Sequence, residues 1–379
     1  MRILVCPQEF KESLTSRQAA GAMALGIRRA GEDIEVDLAP MADGGPGTID
    51  AVLSSVKGRR MKATVRDPLG RPREAIWALL DEKTALIETA EASGLALLRP
   101  EERDPRRTST YGTAELIRAA LDEGCRRLIV AIGGSATNDG GAGMAQALGV
   151  RLLDVAGNEL EPGGAALMKL QRIDVSGLDP RVRSCEIVVA ADAVNPLLGP
   201  AGASLVYGPQ KGGTPEAVAE LEVALQHYAG VVKRELDVDI ATVSGAGAAG
   251  GLGGGLVAFL GARITSGAEF VAEAIGLAGR IERADVVFTG EGRLDSQTEY
   301  GKSVAVVARL AKERRCPVVV FAGSVADDAD LAPLRLDAVV PVAIGPMTRE
   351  EMFAKSDELL SSAAEQATRL LLLGGSFAR

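Results

Sequence analysis

The residues of this chain that can do chemistry are a few carboxylates, three cations and a set of short glycine-rich turns. The turns are "MADGGPGT" from Met41, "GGSATNDGG" from Gly133, "NPLLGPAGA" from Asn195 with "GPQKGG" from Gly208, "GAGAAGGLGGG" from Gly245, and "TGEGRLDSQTEYGKS" from Thr289. Glycine lets backbone N–H groups turn toward an anion and approach it closely, and a helix starting just after adds its dipole. Gly44, Gly45, Gly133, Gly134 and Gly290 hold such positions; Ser135, Thr137 and Asn138 add short hydrogen-bonding side chains. Asp43, Asp139, Asp192, Glu291 and Asp295 each stand in or beside a glycine turn, where a carboxylate can reach a bound Mg2+ or a substrate hydroxyl. Capping a turn or helix is the plainer use of an aspartate, and it suits Asp139 best. Lys11, Lys211 and Arg293 bring positive charge, with solvent exposure as the plainer reading for Lys11. Anion cradles, cations, carboxylates for a metal and one base for a hydroxyl are the parts of phosphoryl transfer, which needs no histidine.

Histidine is nearly absent. His227, in "ALQHYAG", follows the helical pattern "PEAVAELEVAL", which places it on a helix surface. Ser-His-Asp hydrolysis and histidine zinc sites are thereby excluded, and acid–base work falls to carboxylates or lysine. Lys plus Arg number 42 against 51 Asp plus Glu, a net charge of −9, which disfavours a nucleic-acid partner, for which a basic face is needed. Four cysteines without a CxxC spacing read as buried thiols of a reducing compartment. Met1 runs straight into the strand-like "RILVC", and the apolar runs are cut by glycines too early for a membrane span. A cytoplasmic protein with no membrane partner is expected. No GxxxxGK[ST] loop is present; "YGKS" leaves Lys302 as a helix-opening cation or a phosphate ligand.

The elements that must position these residues read as α/β. Short β-branched runs without alternation, such as "RILVC", "RRLIVAI", "EIVVAAD", "ADVVFTG" and "PVVVFAG", fit strands buried on both faces of a parallel sheet. In "TSRQAAGAMALGIRRAG", Ala20, Met23, Ala24 and Ile27 recur at helical spacing, with Thr15 or Ser16 as N-cap and Gly31 as the stop. The stretch from Met61 to Gly94 alternates instead between turn signals, as antiparallel strands do. At 379 residues the chain is too long for one core. The expected division is a discontinuous domain of residues 1–62 and 284–379 with an inserted mixed α/β domain, 63–283.

Taken together and in order, the motifs resemble the bacterial glycerate kinases of type 1. The resemblance rests on "FKxSL" at Phe10–Leu14, "PMADGG" at Pro40–Gly45, "TYGTxELI" at Thr110–Ile117 and "GGSATNDGGAGM" at Gly133–Met144. It continues in "NPLLGPxGA", "GPQKG", "GAGAAGGLG" and "GEGRLDSQT", and so covers essentially the whole chain. It implies a flavodoxin-like, doubly wound parallel sheet built from both chain ends, a smaller inserted α/β domain, and an active site in the cleft between them. It further implies transfer of the ATP γ-phosphoryl group to D-glycerate with Mg2+, with 2-phosphoglycerate as the favoured product. Five positions depart from the family pattern. The family has "DSFKGS" where this chain has Gln8, Glu9 and Glu12 around Phe10-Lys11, Glu where it has Pro46, and Cys where it has Ala191.

On that reading Asp192 is the base for the glycerate hydroxyl, and Asp43 and Asp295 hold Mg2+. Lys11, Lys211 and Arg293 neutralise the substrate carboxylate and the transferring phosphoryl. Ser135, Thr137 and Asn138, with Gly44, Gly45, Gly133, Gly134, Gly290 and Glu291, line the phosphate and substrate site. The oligomeric state stays open, with a homodimer as one arrangement. Two other functions also remain open: a nucleotide-dependent oxidoreductase, and a non-catalytic sugar-acid-binding protein on a kinase fold. Against the first, the turn after the first strand, "CPQEFKES", lacks the glycines of a dinucleotide fingerprint.

Overall fold

The computed structural model describes residues 1–295, 303–327 and 331–377, so Lys302 and the Ser296–Tyr300 part of the last glycine segment lie outside the described residues. The chain opens with β1 (Arg2–Val5) and β2 (Glu35–Leu38). Then come β3 (Arg59–Arg66), β4 (Pro72–Leu79), β5 (Thr84–Glu88), β6 (Arg127–Ala131) and β7 (Arg151–Leu153). After β8 (Arg172–Asp174), β9 (Glu186–Ala190) and β10 (Arg263–Thr265), the chain closes with β11 (Val286–Leu294), β12 (Val318–Val325) and β13 (Ala338–Pro341). Two compact units result. One comprises Met1–Asp43, Asp50–Val56 and Ala268–Arg379; the other comprises Gly44–Ile49 and Lys57–Gly267.

The first unit holds an all-parallel sheet in the order β13-β12-β11-β1-β2. Counted within the unit this is the 2-1-3-4-5 order of flavodoxin-like sheets, with the reversal between β1 and β11. Ile3, Val5, Val286, Phe288, Val319 and Phe321 pack in one core cluster with the helices Ser16–Ala30 and Ser356–Phe377. Leu4, Val287 and Val320, equally buried, point the other way by the two-residue strand period. On that face the helix Ser303–Glu313 packs against β11 and β12. The helix Ser16–Ala30 starts where the sequence predicts: Thr15 Oγ1 accepts from Gln18 N, and Thr15 N donates to Gln18 Oε1.

The inserted unit carries a six-stranded sheet in the order β10-β9-β6-β5-β4-β3, plus the antiparallel ribbon β7-β8. Strands β3, β4 and β5 form the antiparallel meander expected from the alternating stretch, and β5, β6, β9 and β10 run parallel. The "DPLG" turn joins β3 to β4, with the Asp67 carboxylate accepting from Leu69 N and Arg71 N. This inserted unit is the larger of the two, a correction to the expected smaller domain. It contains two sheets, three of the five glycine segments and the Gly44–Thr48 part of a fourth. His227, on the helix Pro215–Leu236, places Nε2 2.7 Å from the Leu170 carbonyl oxygen. All four cysteines are free thiols. Among the described residues no helix is long and apolar enough to cross a membrane.

Candidate active site

In the inserted unit the parallel strands end level with one another. Glu88 on β5 registers with Ala131 on β6, Ala131 with Ala190 on β9, and Ala190 with Thr265 on β10. The next residues continue the ladder through Thr89 N to Ala131 O, Ile132 N to Ala190 O and Ala191 N to Thr265 O. Four loops therefore leave the sheet side by side at its carboxyl edge, where open α/β sheets bind ligands. Asp192 is the second residue after β9, and its Oδ1 accepts a 2.7 Å hydrogen bond from Ser266 Oγ, which directly follows β10. Glu88, itself buried, accepts from Ile49 N at 2.6 Å and Gly47 N at 3.3 Å. A carboxylate at the end of one strand thus anchors the loop that begins at Gly44.

The turn after β6 answers why so many glycines follow a buried strand. Gly133 N donates to Gly44 O, and a Cβ on Gly133 would stand 2.6 Å from Gly45 Cα. Gly140 N donates to Gly250 O, and a Cβ on Gly250 would lie 2.7 Å from Asn138 Cα. Two other glycine segments are stacked directly on this turn, and side chains would hold them off. The amide of Gly133 is consequently taken by the protein itself, which corrects the expectation that it wraps an anion. Thr137 and Asn138 are fully buried, with Asn138 Nδ2 donating to Ser204 Oγ. Both side chains lie inside the unit, packed within the turn itself.

Opposite charges hold the two ends of this turn. The fully buried Asp139 carboxylate accepts from Thr110 N, Thr110 Oγ1, Gly141 N and Gly143 N. Burial pushes its pKa up, against these hydrogen bonds. Lys211 is 3% exposed, and Nζ donates to Ser135 Oγ at 3.0 Å and to Thr137 O at 2.6 Å. Burial brings its pKa down to about 7, with the Asp139 charge acting in the opposite direction.

In the first unit, the other predicted residues gather at the reversal between β1 and β11. Gln8 N donates to Gly290 O, Met41 N donates to Pro7 O, and a Cβ on Gly292 would sit 3.2 Å from Lys11 N. These contacts bring together Lys11, Asp43 and the Gly290–Asp295 segment with Glu291 and Arg293. Lys11 and Arg293 are exposed, whereas Asp43, Glu291 and Asp295 are half-buried. Glu9 joins them: burial and the neighbouring Asp43 charge raise its pKa, while Lys11 lowers it.

The model of the glycerate kinase family matches residues 3–372. The chain is a member of the glycerate kinase family. It is 46% identical over 364 residues to a glycerate kinase of Halalkalibacterium halodurans, covering 96% of each chain. With the glycerate 2-kinase of Escherichia coli K12 the identity is 45% over 376 residues, 99% of each. A solved structure named as glycerate kinase 2 of Salmonella typhimurium LT2 superposes with a TM-score of 0.85 at 44% identity, covering 99% of both chains. The protein is therefore an enzyme of the kinase class, which sets aside the oxidoreductase and the non-catalytic binding protein.

The departures from the family motifs have local explanations. Gln8, buried, accepts from Ser303 Oγ at 2.5 Å and so fixes the start of the helix Ser303–Glu313. Glu12, where the family has glycine, adopts φ 65, the left-handed region that glycine enters freely. Pro46 packs on the Gly134 backbone, and Ala191 is buried. Sequence reasoning passed over Glu88 and Ser266. Glu88 had a legible signal, a lone carboxylate ending the apolar run "TALIE"; Ser266 had none.

Proposed function

We propose that the protein transfers the γ-phosphoryl group of ATP to a hydroxyl of D-glycerate, giving 2-phosphoglycerate and ADP. The observation that supports this most directly is the Asp192 carboxylate, oriented by Ser266 at the edge where four parallel strands end, in a member of this family. Asp192 Oδ accepts the hydroxyl proton as the substrate oxygen bonds to the γ-phosphorus. The bond from that phosphorus to the bridging oxygen breaks, and ADP leaves. Lys11 and Arg293 neutralise the substrate carboxylate and the transferring phosphoryl. Gly44, Gly45, Gly134, Gly290 and Glu291 line the phosphate side, while Ser135, Thr137 and Asn138 keep their turn in shape.

Asp43 and Asp295 fit a magnesium ion in donor chemistry, since Mg2+ takes one or two carboxylates together with nucleotide phosphates. Among the described residues no group of three or more His, Cys, Asp or Glu side chains that could hold a metal occurs. Bound at Asp43 and Asp295, magnesium would offset negative charge on the phosphate oxygens. The test is incubation with ATP, Mg2+ and D-glycerate followed by 31P NMR. Appearance of 2-phosphoglycerate with ADP is expected. A 3-phosphoglycerate signal overturns the product assignment, and absence of any phosphoglycerate overturns the reading as a whole.

A further inference from the structure

Lys211 is a buried cation whose ammonium is held by two groups of a single distant turn. It follows Pro209 in a single turn of 3-10 helix, and Gly212, at φ 90, reverses the chain behind it. Its side chain then runs inward until the ammonium meets Ser135 Oγ and the Thr137 carbonyl, residues 76 and 74 positions earlier in sequence. An ammonium is a costly group to bury, and it is retained only where its donors are used. Both acceptors belong to the turn after β6, on either side of Ala136, whose own N–H donates to Ser93 O and whose carbonyl accepts from Thr108 Oγ1. From Ser135 to Asp139 the turn is thus tied at every residue to another element of the inserted unit.

We propose that Lys211 is a positioning residue for the phosphoryl transfer, a pin that fixes the Ser135–Thr137 backbone before any ligand arrives and does not itself touch substrate. The proposal rests on the kinase reading above, and it replaces the expectation that Lys211 neutralises a ligand. A pin shared by both substrates should affect the rate more than the affinity for either one, because misplacing a prearranged turn weakens interactions made in the transition state.

The test pairs hydrogen exchange without ligands with steady-state kinetics, on wild type, Lys211→Met and Lys211→Arg. In Lys211→Met, amides of the 133–141 segment should exchange about tenfold faster or more, the effect of losing two buried hydrogen bonds. The kcat should fall about tenfold or more with KM for glycerate and for ATP within about twofold of wild type, and Lys211→Arg should recover part of the loss. Unchanged exchange together with a KM raised about tenfold for either substrate would mean direct ligand contact and would overturn the proposal. If Lys211→Met does not fold, Ser135→Ala removes one acceptor from the same pin and is judged by the same two readouts. Because exchange is read without substrate, it decides the pin even if wild type proves inactive on glycerate, a result that would instead sink the kinase reading.

Discussion

Replacing Lys211 by methionine should change how the inserted unit's stability depends on pH, and the direction follows from the burial of the ammonium. In the folded protein this lysine has its pKa lowered from 10.5 to about 7. Above about pH 7 the unfolded chain therefore binds one more proton at this position than the folded one, so stability rises with pH until the unfolded lysine also titrates. The neighbouring Asp139 charge acts in the opposite sense and holds the shift back. One proton per molecule corresponds to roughly 1.4 kcal/mol per pH unit, or about 3 kcal/mol accumulated by about pH 9.5. Methionine cannot titrate, so the gap between wild type and Lys211→Met should widen in favour of wild type as pH rises. The single tryptophan, Trp77, is buried in β4 of the same unit, so its fluorescence during urea unfolding reports the relevant transition. Parallel stability profiles for the two proteins between about pH 7 and 9.5 would refute the argument, since they would require the lysine to keep its ordinary pKa inside the fold.

The other expectations concern single side chains. Asp192→Asn should lower kcat by about 10² or more with ATP affinity nearly intact, and near-normal turnover would remove it as the base. Lys11→Ala should raise KM for glycerate or ATP; a variant with both values unchanged would mark Lys11 as a plain surface residue. Glu88→Ala strips the acceptor from the buried Ile49 N–H and the half-buried Gly47 N–H and should destabilise the inserted unit by about 1–3 kcal/mol, visible as a lower urea midpoint at Trp77. Glu12→Gly should stabilise the first unit by about 1 kcal/mol by relieving a left-handed backbone, its exposed pair with Arg349 being worth little. Calorimetry showing an equal or lower melting temperature would contradict that.

The fold was largely legible because its strands are apolar runs with clear punctuation. Runs such as "RRLIVAI" and "EIVVAAD" became buried parallel strands, and Thr15 and Gly31 bound their helix as capping chemistry predicts. Residue types at the site were legible for the same reason: polar groups beside glycines after strands stand out. Their orientation was not. Nothing local distinguishes a lysine that reaches solvent from Lys211, whose acceptors lie more than seventy residues away and are brought to it only by the sheet. The glycines of "GGSATNDGG" were read as room for an anion, yet several of them make room for other glycines, a contact between distant loops that no spacing rule encodes.

The place of β1 in its sheet has a consequence for biosynthesis. Its neighbour on one side, β2, follows within forty residues, but the neighbour on the other side is β11, which begins at Val286. A ribosome releases the apolar stretch Ile3–Val5 long before the residues that will shield its open flank have been translated. Meanwhile the long contiguous stretch from Lys57 to Gly267, most of the second compact unit, emerges before β11 does. The amino-terminal segment is therefore a waiting edge during synthesis, and it is the part of the nascent chain with most to gain from a chaperone.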